Sequence, residues 1–443
     1  MKLIHLGGEK CVTGSCHLLQ AAGLNILVDC GLTQGHDAAT PMSSWPIAPA
    51  DIDYLFLTHA HIDHIGRVPE LIRNGFNGQI LTSHGTKALL RPMLEDALSF
   101  SNLPRHEADK ILATIDELSW GFEYLEPFDL KSGVRFELGR AGHILGSCFI
   151  RFEWGDTPYS AVFSGDLGAR RAPLLPDPDI PEPCDLLVLE STYGDRCHEN
   201  RTERIRRLGE SLSHSLADGG KVFIPAFALG RIQELLFEMD RLFSDAEWQR
   251  AFPLLNRKEP IPVFVDSPLG LKITETYASL SEFWDREAKG LLYKGDNPID
   301  FEHLYAVRTH GDHLQLLDAP GPAVIIAGSG MCSGGRIVNH LQNGLPDPRN
   351  DVFFVGYQAA GTPGRDIINY ARRPGGYVVL DGEQVPIRAK VQVLSGYSAH
   401  ADQQELLEWA KAVRPAKVKL VHGEQQARQA LVKLGGWDRE NTT

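Results

Sequence analysis

The segment that decides the fold runs from residue 54 to residue 64 and reads Tyr54-Leu55-Phe56-Leu57-Thr58-His59-Ala60-His61-Ile62-Asp63-His64. Its apolar half predicts a buried strand, and its polar half crowds four metal-ligating side chains into one corner. His59 and His61 point to the same side of an extended chain, because side chains alternate with a period of two. Asp63 and His64 would then begin a helix covering residues 66–73. A His-x-His-x-(Asp/Glu)-His pattern is expected by chance only about 0.003 times in a chain of this composition, so it indicates a metal site.

Four ligands at one corner indicate two metal ions. One catalytic zinc takes three protein ligands and a water, whereas two ions about 3.5–4 Å apart can share a water. Such a site needs more ligands, and three candidates stand at the boundaries of other apolar runs: His143, Asp166 and His422. Asp29 also ends a strand-like run, and we assign it the role of accepting a hydrogen bond from a ligating histidine.

The pattern of apolar residues changes between residues 196 and 375. Strand-like runs alternate there with helical periodicity, as where Val222-Phe223-Ile224 precedes a predicted helix near residues 231–243. Repeated strand–helix units predict a mostly parallel sheet with helices packed on it. The sequence therefore predicts one α/β domain in two parts, residues 1–195 and 376–443, interrupted by a second α/β domain at residues 196–375.

Together with Asp29, His143 and Asp166, the His59–His64 motif resembles the metallo-β-lactamase fold of binuclear zinc hydrolases. Three further motifs resemble those of the β-CASP branch, whose members are nucleases: Leu189–Tyr193, Ser398–Asp402 and Val421–Glu424. Within that branch, the sequence most resembles bacterial and archaeal homologues of the cleavage and polyadenylation endonuclease subunit. The resemblance implies an αββα sandwich with an inserted, parallel-sheet β-CASP domain. It also implies two zinc sites joined by a carboxylate: His59, His61 and His143 hold the first, Asp63, His64 and His422 hold the second, and Asp166 bridges.

The function implied is metal-dependent hydrolysis of RNA, single-stranded RNA in particular. Hydroxide on two Zn²⁺ ions attacks phosphorus, leaving a 5′-phosphate and a 3′-hydroxyl, and Mn²⁺ can occupy the same donors. Asp63 and Asp166 serve catalysis as well as metal binding, His400 protonates the leaving oxygen, and Glu190 orients His400. His422 favours RNA, because RNA-directed members carry histidine there. Endonuclease or exonuclease action, the RNA target and residual DNA activity stay open.

Gly-rich loops in the inserted region predict contacts to phosphate. Three Gly-Arg pairs follow strands and open helices, where backbone N–H groups and arginine can hold anions. The candidate phosphate-binding residues are Ser329, Ser333, Arg336, Arg365 and Arg231. Pairing with a nearby acid is the alternative for each arginine. Residues 309–313 imitate half of the zinc motif but lack its earlier paired histidine, so no metal is expected there.

Composition narrows the classes of protein. A net charge of −13 argues against a surface that grips nucleic acid throughout. No apolar run reaches the ~18–20 residues that span a membrane, and no signal-peptide pattern opens the chain, so we expect a soluble, cytoplasmic protein without a membrane partner. A homodimer is compatible with the sequence. Two other functions stay open: a two-zinc hydrolase of a small ester or thioester, and a catalytically silent RNA-binding scaffold.

Overall fold

The computed structural model describes residues 1–35, 37, 39–256 and 261–437. The short apolar runs of the sequence form its β-strands. The chain divides into two compact units. The first unit comprises Met1–Cys197 and the chain from His400 onward, and the second unit comprises His198–Ala399. None of the helices in the described ranges is long and apolar enough to cross a membrane.

Among the described residues, the first unit contains twelve strands. They are β1 (Lys2–Gly7), β2 (Cys16–Ala21), β3 (Leu24–Val28), β4 (Tyr54–Phe56), β5 (Gln79–Ser83), β6 (Ser119–Phe122), β7 (Pro127–Asp129), β8 (Arg135–Arg140), β9 (Cys148–Trp154), β10 (Tyr159–Phe163), β11 (Leu186–Glu190) and, after the second unit, β20 (Lys417–Val421). Its α-helices are α1 (Ile62–Ile65), α2 (Val68–Arg73), α3 (His84–Ser99), α4 (Arg105–Leu118), α13 (Gln403–Val413) and α14 (Gln425–Gly435).

The second unit supplies the elements numbered between these. Its strands are β12 (Lys221–Pro225), β13 (Val263–Asp266), β14 (Leu304–Ala306), β15 (Ala323–Ala327), β16 (Asp351–Phe354), β17 (Tyr377–Leu380), β18 (Glu383–Pro386) and β19 (Lys390–Val393). Its α-helices are α5 (Arg204–Ser215), α6 (Arg231–Ser244), α7 (Ala246–Ala251), α8 (Pro268–Ser279), α9 (Arg286–Tyr293), α10 (His310–Asp318), α11 (Arg336–Gly344) and α12 (Pro363–Tyr370).

The first unit is a four-layered αββα sandwich, as the sequence predicted. Its sheets have the strand orders β1-β2-β3-β4-β5-β6 and β20-β11-β10-β9-β8-β7. The core between them is aromatic, with Phe56, Phe136 and Phe152 fully buried. Helices α3 and α4 cover the first sheet, and α13 and α14 cover the second. Because both faces of these sheets are buried, their central strands read as continuous apolar runs.

The second unit is built on a six-stranded sheet of order β14-β13-β15-β12-β16-β19, in which every pair is parallel. Helix α11 packs on it through Ile337 and Leu341. The strand–helix units expected from the sequence are therefore present.

The end of the inserted domain differs from the predicted residue 375. Residues 390–393 form β19, which pairs in parallel with β16, so the second unit continues to Ala399. We expected this strand from the sequence, but in the second part of the interrupted domain, residues 376–443. A strand's apolar pattern does not say which sheet it joins, because hydrogen bonds to distant strands decide that.

Candidate metal centre

Strand ends from both sheets of the first unit place the candidate ligands. Asp29 follows β3, His59 lies three residues after β4, and Asp166 lies three residues after β10. Parallel pairing of β20 with β11 sets Val421 opposite Glu190, which brings His422 to the same edge. Since strands that run in one direction end at one edge, five segments deliver polar side chains to one place.

The first group of converging donors consists of three histidines. Nδ1 of His61 lies 3.1 Å from Nε2 of His59 and 3.2 Å from Nε2 of His143. Zn–N bonds of about 2.0–2.1 Å at tetrahedral angles would separate ligand nitrogens by about 3.3–3.4 Å. The spacing of the three nitrogens therefore fits one metal ion.

The second group consists of Asp63, His64 and His422, whose ligand atoms lie within 4.8 Å of one another. Oδ2 of Asp63 is 3.5 Å from Nε2 of His422 and 4.0 Å from Nε2 of His64. Asp63 and His64 lie inside α1, a one-turn helix separate from α2. The expected single helix over residues 66–73 is therefore wrong at its start, because the chain breaks between α1 and α2.

Asp166 lies between the two groups. Its Oδ2 is 3.6 Å from Nε2 of His59 and 3.7 Å from Nε2 of His143, both in the first group. The same oxygen is 3.4 Å from Nε2 of His64, in the second. The structure thus brings together all seven predicted ligands.

Several donor atoms in this cluster are buried without a hydrogen-bond partner. They are Nε2 of His64, Nε2 of His422, Nδ1 of His143 and Oδ1 of Asp166. Buried polar atoms normally have partners, because leaving one unsatisfied costs about 1–3 kcal/mol. A pair of divalent cations would satisfy His64, His422 and Asp166, and a mixed imidazole–carboxylate donor set suits zinc or manganese.

Asp29 and two threonines without a predicted role contact the candidate ligands. Asp29 accepts from Nδ1 of His64 at 2.7 Å, as expected, but it also accepts the backbone N–H of Thr58 at 2.8 Å. The hydroxyl of Thr58 lies 3.1 Å from Nδ1 of His59. The hydroxyl of Thr192 lies 3.1 Å from Nδ1 of His422. These contacts turn the Nε2 atoms toward the ligand cluster. In the sequence, the only signal for Thr58 is its position directly before His59, and the only signal for Thr192 is its position two residues after Glu190.

Burial and charge set the protonation of the cluster in opposite directions. Burial lowers the pKa of His59 and of His143 well below 6.5, so both rings are neutral. Burial also disfavours the charged form of His64, but the carboxylates of Asp166 and Asp29 outweigh it and raise the pKa of His64 well above 6.5. The pKa of Asp166 is held well below its usual range, because the histidines around it outweigh the effect of its burial.

Glu190 and His400 form a pair at the edge of the cluster. Glu190 is buried, and Nδ1 of His400 donates to its Oε1 at 3.1 Å. His400 lies beside the candidate ligands, with Nδ1 3.9 Å from Oδ2 of Asp166. The carboxylate accepts from Nδ1 and fixes the orientation of the ring, which leaves Nε2 as the nitrogen that can serve a proton transfer.

Two glycines allow the loops of the site to approach closely. A Cβ atom on Gly31 would lie 1.6 Å from the carbonyl oxygen of Asp63, and one on Gly168 would lie 1.8 Å from that of Gly142. Any side chain would therefore push the Asp29 loop away from α1, or the Asp166 loop away from the His143 loop.

The arginines predicted to hold phosphate have contacts inside the second unit. Arg231 is buried and pairs with Glu234 at 2.5 Å. Arg336 donates to Oδ1 of Asp266 at 2.6 Å and to the carbonyl of Val307 at 2.9 Å. Arg231 and Arg336 thus show the alternative contact, pairing with an acid of the same unit, and we do not propose a phosphate role for them.

The other phosphate candidates lie in loops of the same unit. The backbone N–H of Ser333 donates to Oγ of Ser329 at 3.0 Å, which closes the Gly-rich loop ahead of α11. Arg365 donates through Nε to the carbonyl of Gln358 at 2.6 Å and lies 5.4 Å from the ring centroid of Tyr357. Arg365 is half-buried.

His313, from the imitation of the zinc motif, belongs to a buried hydrogen-bond network. Nδ1 of His313 and Nε2 of His340 both lie 2.6 Å from Oδ2 of Asp266. Contacts this short are typical of charge-assisted hydrogen bonds. The network also contains Arg336, so it joins α10 and α11 to the end of β13.

Three protein families match consecutive parts of the sequence. The Metallo-beta-lactamase superfamily matches residues 10–221, the Beta-Casp domain matches residues 232–367, and the Zn-dependent metallo-hydrolase RNA specificity domain matches residues 384–439.

Similar proteins occur in bacteria, archaea and animals. The chain is 38% identical to Ribonuclease TTHA0252 of Thermus thermophilus, over 98% of this chain and 96% of that protein. It is 29% identical to Transcription termination factor FttA of Methanocaldococcus jannaschii, over 96% of this chain and 67% of that protein. It is 31% identical to Cleavage and polyadenylation specificity factor 73 of Drosophila melanogaster, over 96% of this chain and 60% of that protein.

A solved structure shares the fold. The crystal structure of a protein of unknown function from Enterococcus faecalis V583 aligns with a TM-score of 0.53, covering 95% of this chain and 93% of that one. The two sequences are 12% identical.

Proposed function

Because the chain belongs to the β-CASP family of metallo-β-lactamase-fold proteins, we propose that it is a ribonuclease that hydrolyses RNA at a centre for two Zn²⁺ ions. We assign the first unit to the metallo-β-lactamase domain and the second to the inserted β-CASP domain. The names of the similar proteins include ribonuclease and endoribonuclease, and the third matching family is described by RNA specificity.

One observation carries the proposal: two groups of three ligand atoms lie on either side of Oδ2 of Asp166. His59, His61 and His143 would hold one ion, and Asp63, His64 and His422 would hold the other. Asp166 would bridge the two. When bound, such a pair lowers the pKa of a coordinated water and neutralises charge on phosphoryl oxygens. Manganese suits the same donors.

His400 is placed to complete the reaction. Cleavage of the P–O3′ bond leaves an alkoxide, which needs a proton to depart as a 3′-hydroxyl, while the phosphate stays on the 5′ side. The Glu190 carboxylate holds Nδ1 of His400, so Nε2 is the nitrogen that would give up the proton. Asp29 and the two threonines keep the ligating rings in place.

Because the 2′-hydroxyl takes no part in this hydrolysis, RNA would be distinguished from DNA when the substrate binds and not by the chemistry. We propose Arg365, Ser329 and Ser333 for phosphate contacts. Arginine and loop N–H groups hold phosphate oxygens well.

Metal-loaded protein and end-labelled single-stranded RNA test the proposal. We expect the parent to bind two zinc ions per chain and to cleave RNA faster than matched DNA, leaving 5′-phosphate ends. His422→Ala should lose metal and activity together. His84→Ala is the matched control, since His84 is an exposed histidine that pairs with Glu123 in the same unit. A metal-loaded parent that hydrolyses a thioester but leaves RNA intact would overturn the proposal.

A further inference from the structure

His17 is a buried histidine that lies near the candidate ligands and has no part in the reaction described above. It belongs to β2, is 3% exposed, and stacks on Phe163 with ring centroids 6.3 Å apart. It borders a cavity of about 20 Å³ that Asp29 and His64 also line. A histidine buried among apolar strands needs hydrogen-bond partners for both ring nitrogens.

Those partners form a chain that ends at the ligand-orienting carboxylate. Nδ1 of His17 lies 2.9 Å from Nδ1 of His5, its neighbour across β1 and β2. Nε2 of His17 lies 3.3 Å from Oγ of Ser15, and that Oγ lies 3.4 Å from Oδ2 of Asp29. The same Oδ2 accepts from Nδ1 of His64 at 2.7 Å.

The direction of the hydrogen bonds can be deduced from the end of this chain. An ionised carboxylate only accepts, so Ser15 must donate its single hydroxyl proton to Asp29. Nε2 of His17 must then donate to Ser15. Burial lowers the pKa of His17 well below 6.5, so the ring is neutral and its Nδ1 must accept from His5.

We propose that Ser15 and His17 are positioning residues for the metal ligand His64: a one-way chain of hydrogen bonds, His5 to His17 to Ser15 to Asp29, fixes the carboxylate that orients the His64 ring. The expected effect on zinc affinity rests on the proposed metal centre, whereas the chain of hydrogen bonds does not depend on it.

The contacts of Asp29 explain why the chain matters. Thr58 satisfies Oδ1 through its backbone N–H at 2.8 Å, and its hydroxyl lies 2.9 Å from Oδ2. Ser15 adds a contact to Oδ2, so that Thr58, His64 and Ser15 together fix the plane of the carboxylate. A carboxylate that can rotate would let the His64 ring tilt, and Nε2 of His64 would no longer stay in line with Asp63 and His422.

The first experiment measures the tautomers directly. Ring-nitrogen NMR shifts of the metal-free, histidine-labelled protein distinguish protonated from unprotonated nitrogens, and His17→Gln identifies the signals of His17. We expect His17 to carry its proton on Nε2 and His5 to carry its proton on Nδ1. A His17 ring protonated on Nδ1 alone would overturn the chain, because Ser15 would then have to donate to His17 and not to Asp29.

The second experiment measures zinc affinity by competition with a chelator. His17→Phe keeps a ring on Phe163 but removes the donor, and we expect the affinity for one of the two ions to fall about tenfold, at the lower end of the effect of outer-shell partners. His17→Gln keeps an N–H near the position of Nε2 and should stay close to the parent. If His17→Phe matches the parent, or if both variants weaken zinc equally, His17 has no positioning role.

A matched pair of serines tests Ser15. Ser160 is also buried in the first unit and donates to an aspartate, with its Oγ 3.1 Å from Oδ2 of Asp185, but Asp185 orients no ligand. Ser15→Ala should weaken one zinc ion while Ser160→Ala does not, at similar thermal stability. Equal zinc affinities in the two variants would remove Ser15 from the proposal. A parent that binds no second zinc would instead contradict the proposed function. The NMR measurement of the His17 and His5 tautomers would still test the chain of hydrogen bonds.

Discussion

Nδ1 of His400 donates to Oε1 of Glu190 across 3.1 Å, although the two residues are 210 positions apart in the sequence. Glu190 also accepts the backbone N–H groups of Leu167, at 2.8 Å, and Thr192, at 3.1 Å. These three bonds fix the carboxylate in a buried position. The orientation of the His400 ring is therefore set by the protein itself before any substrate arrives.

This arrangement predicts that His400→Ala separates chemistry from metal binding. The variant should keep both zinc ions and bind RNA, but cleave it more slowly by about 10²–10⁴, the usual contribution of a general acid. A substrate with a better leaving group than ribose should recover part of the loss, because it needs less protonation. Single-turnover cleavage and elemental analysis measure both properties, with His84→Ala as control. Loss of a metal ion from His400→Ala, or no gain with the activated substrate, would argue against the acid role.

Thr192→Val should weaken the second metal site without changing the first. The substitution keeps the volume of the side chain but removes the hydroxyl next to Nδ1 of His422. Loss of such an orienting group costs about 10–100-fold in metal affinity. Thr192→Ser should restore most of it, since the hydroxyl returns. Chelator competition gives the stepwise affinities, and equal values for the valine and serine variants would contradict the assignment.

Zinc binding should release protons around neutral pH. Carboxylates raise the pKa of His64 and of His422 above 6.5, so the metal-free rings hold a proton that a metal ion must displace. His59 and His143 are already neutral and release none. Apparent affinity should therefore rise with pH until the pH exceeds the raised pKa values. Calorimetry in buffers of different ionisation enthalpy measures the release, and a pH-independent affinity would show that these rings are neutral beforehand.

Arg365 and Arg231 should behave differently although both stand at predicted phosphate loops. Arg365→Ala should weaken RNA binding and lower the slope of log affinity against log salt by about one. Arg231→Met should leave RNA binding unchanged but destabilise the protein by about 3–5 kcal/mol, because it leaves Glu234 buried without its cation. Binding titrations across a salt series, together with thermal unfolding, distinguish the two. An Arg231→Met variant that folds normally and binds RNA weakly would instead support a phosphate contact for Arg231.

The sequence alone predicted the features that depend on neighbouring residues. His59, His61, Asp63 and His64 lie within six positions, so strand alternation and one helical turn are enough to bring them together. The candidate ligands at strand ends could also be recognised, because an apolar run followed by one titratable residue is a local pattern. The same reasoning identified the strand–helix units of the second unit.

Only the tertiary structure decided what each of the more distant residues contacts. The register of β20 against β11 places His422 beside Thr192. Strand β19 joins the sheet of the second unit because it pairs with β16. Arg231 and Arg365 follow similar Gly-rich loops in the sequence, yet one is buried against an acid and the other is half-buried beside an aromatic ring. The physical reason is that hydrogen bonds and ion pairs between distant segments depend on how strands pair and helices pack, which a local pattern of residue types does not contain.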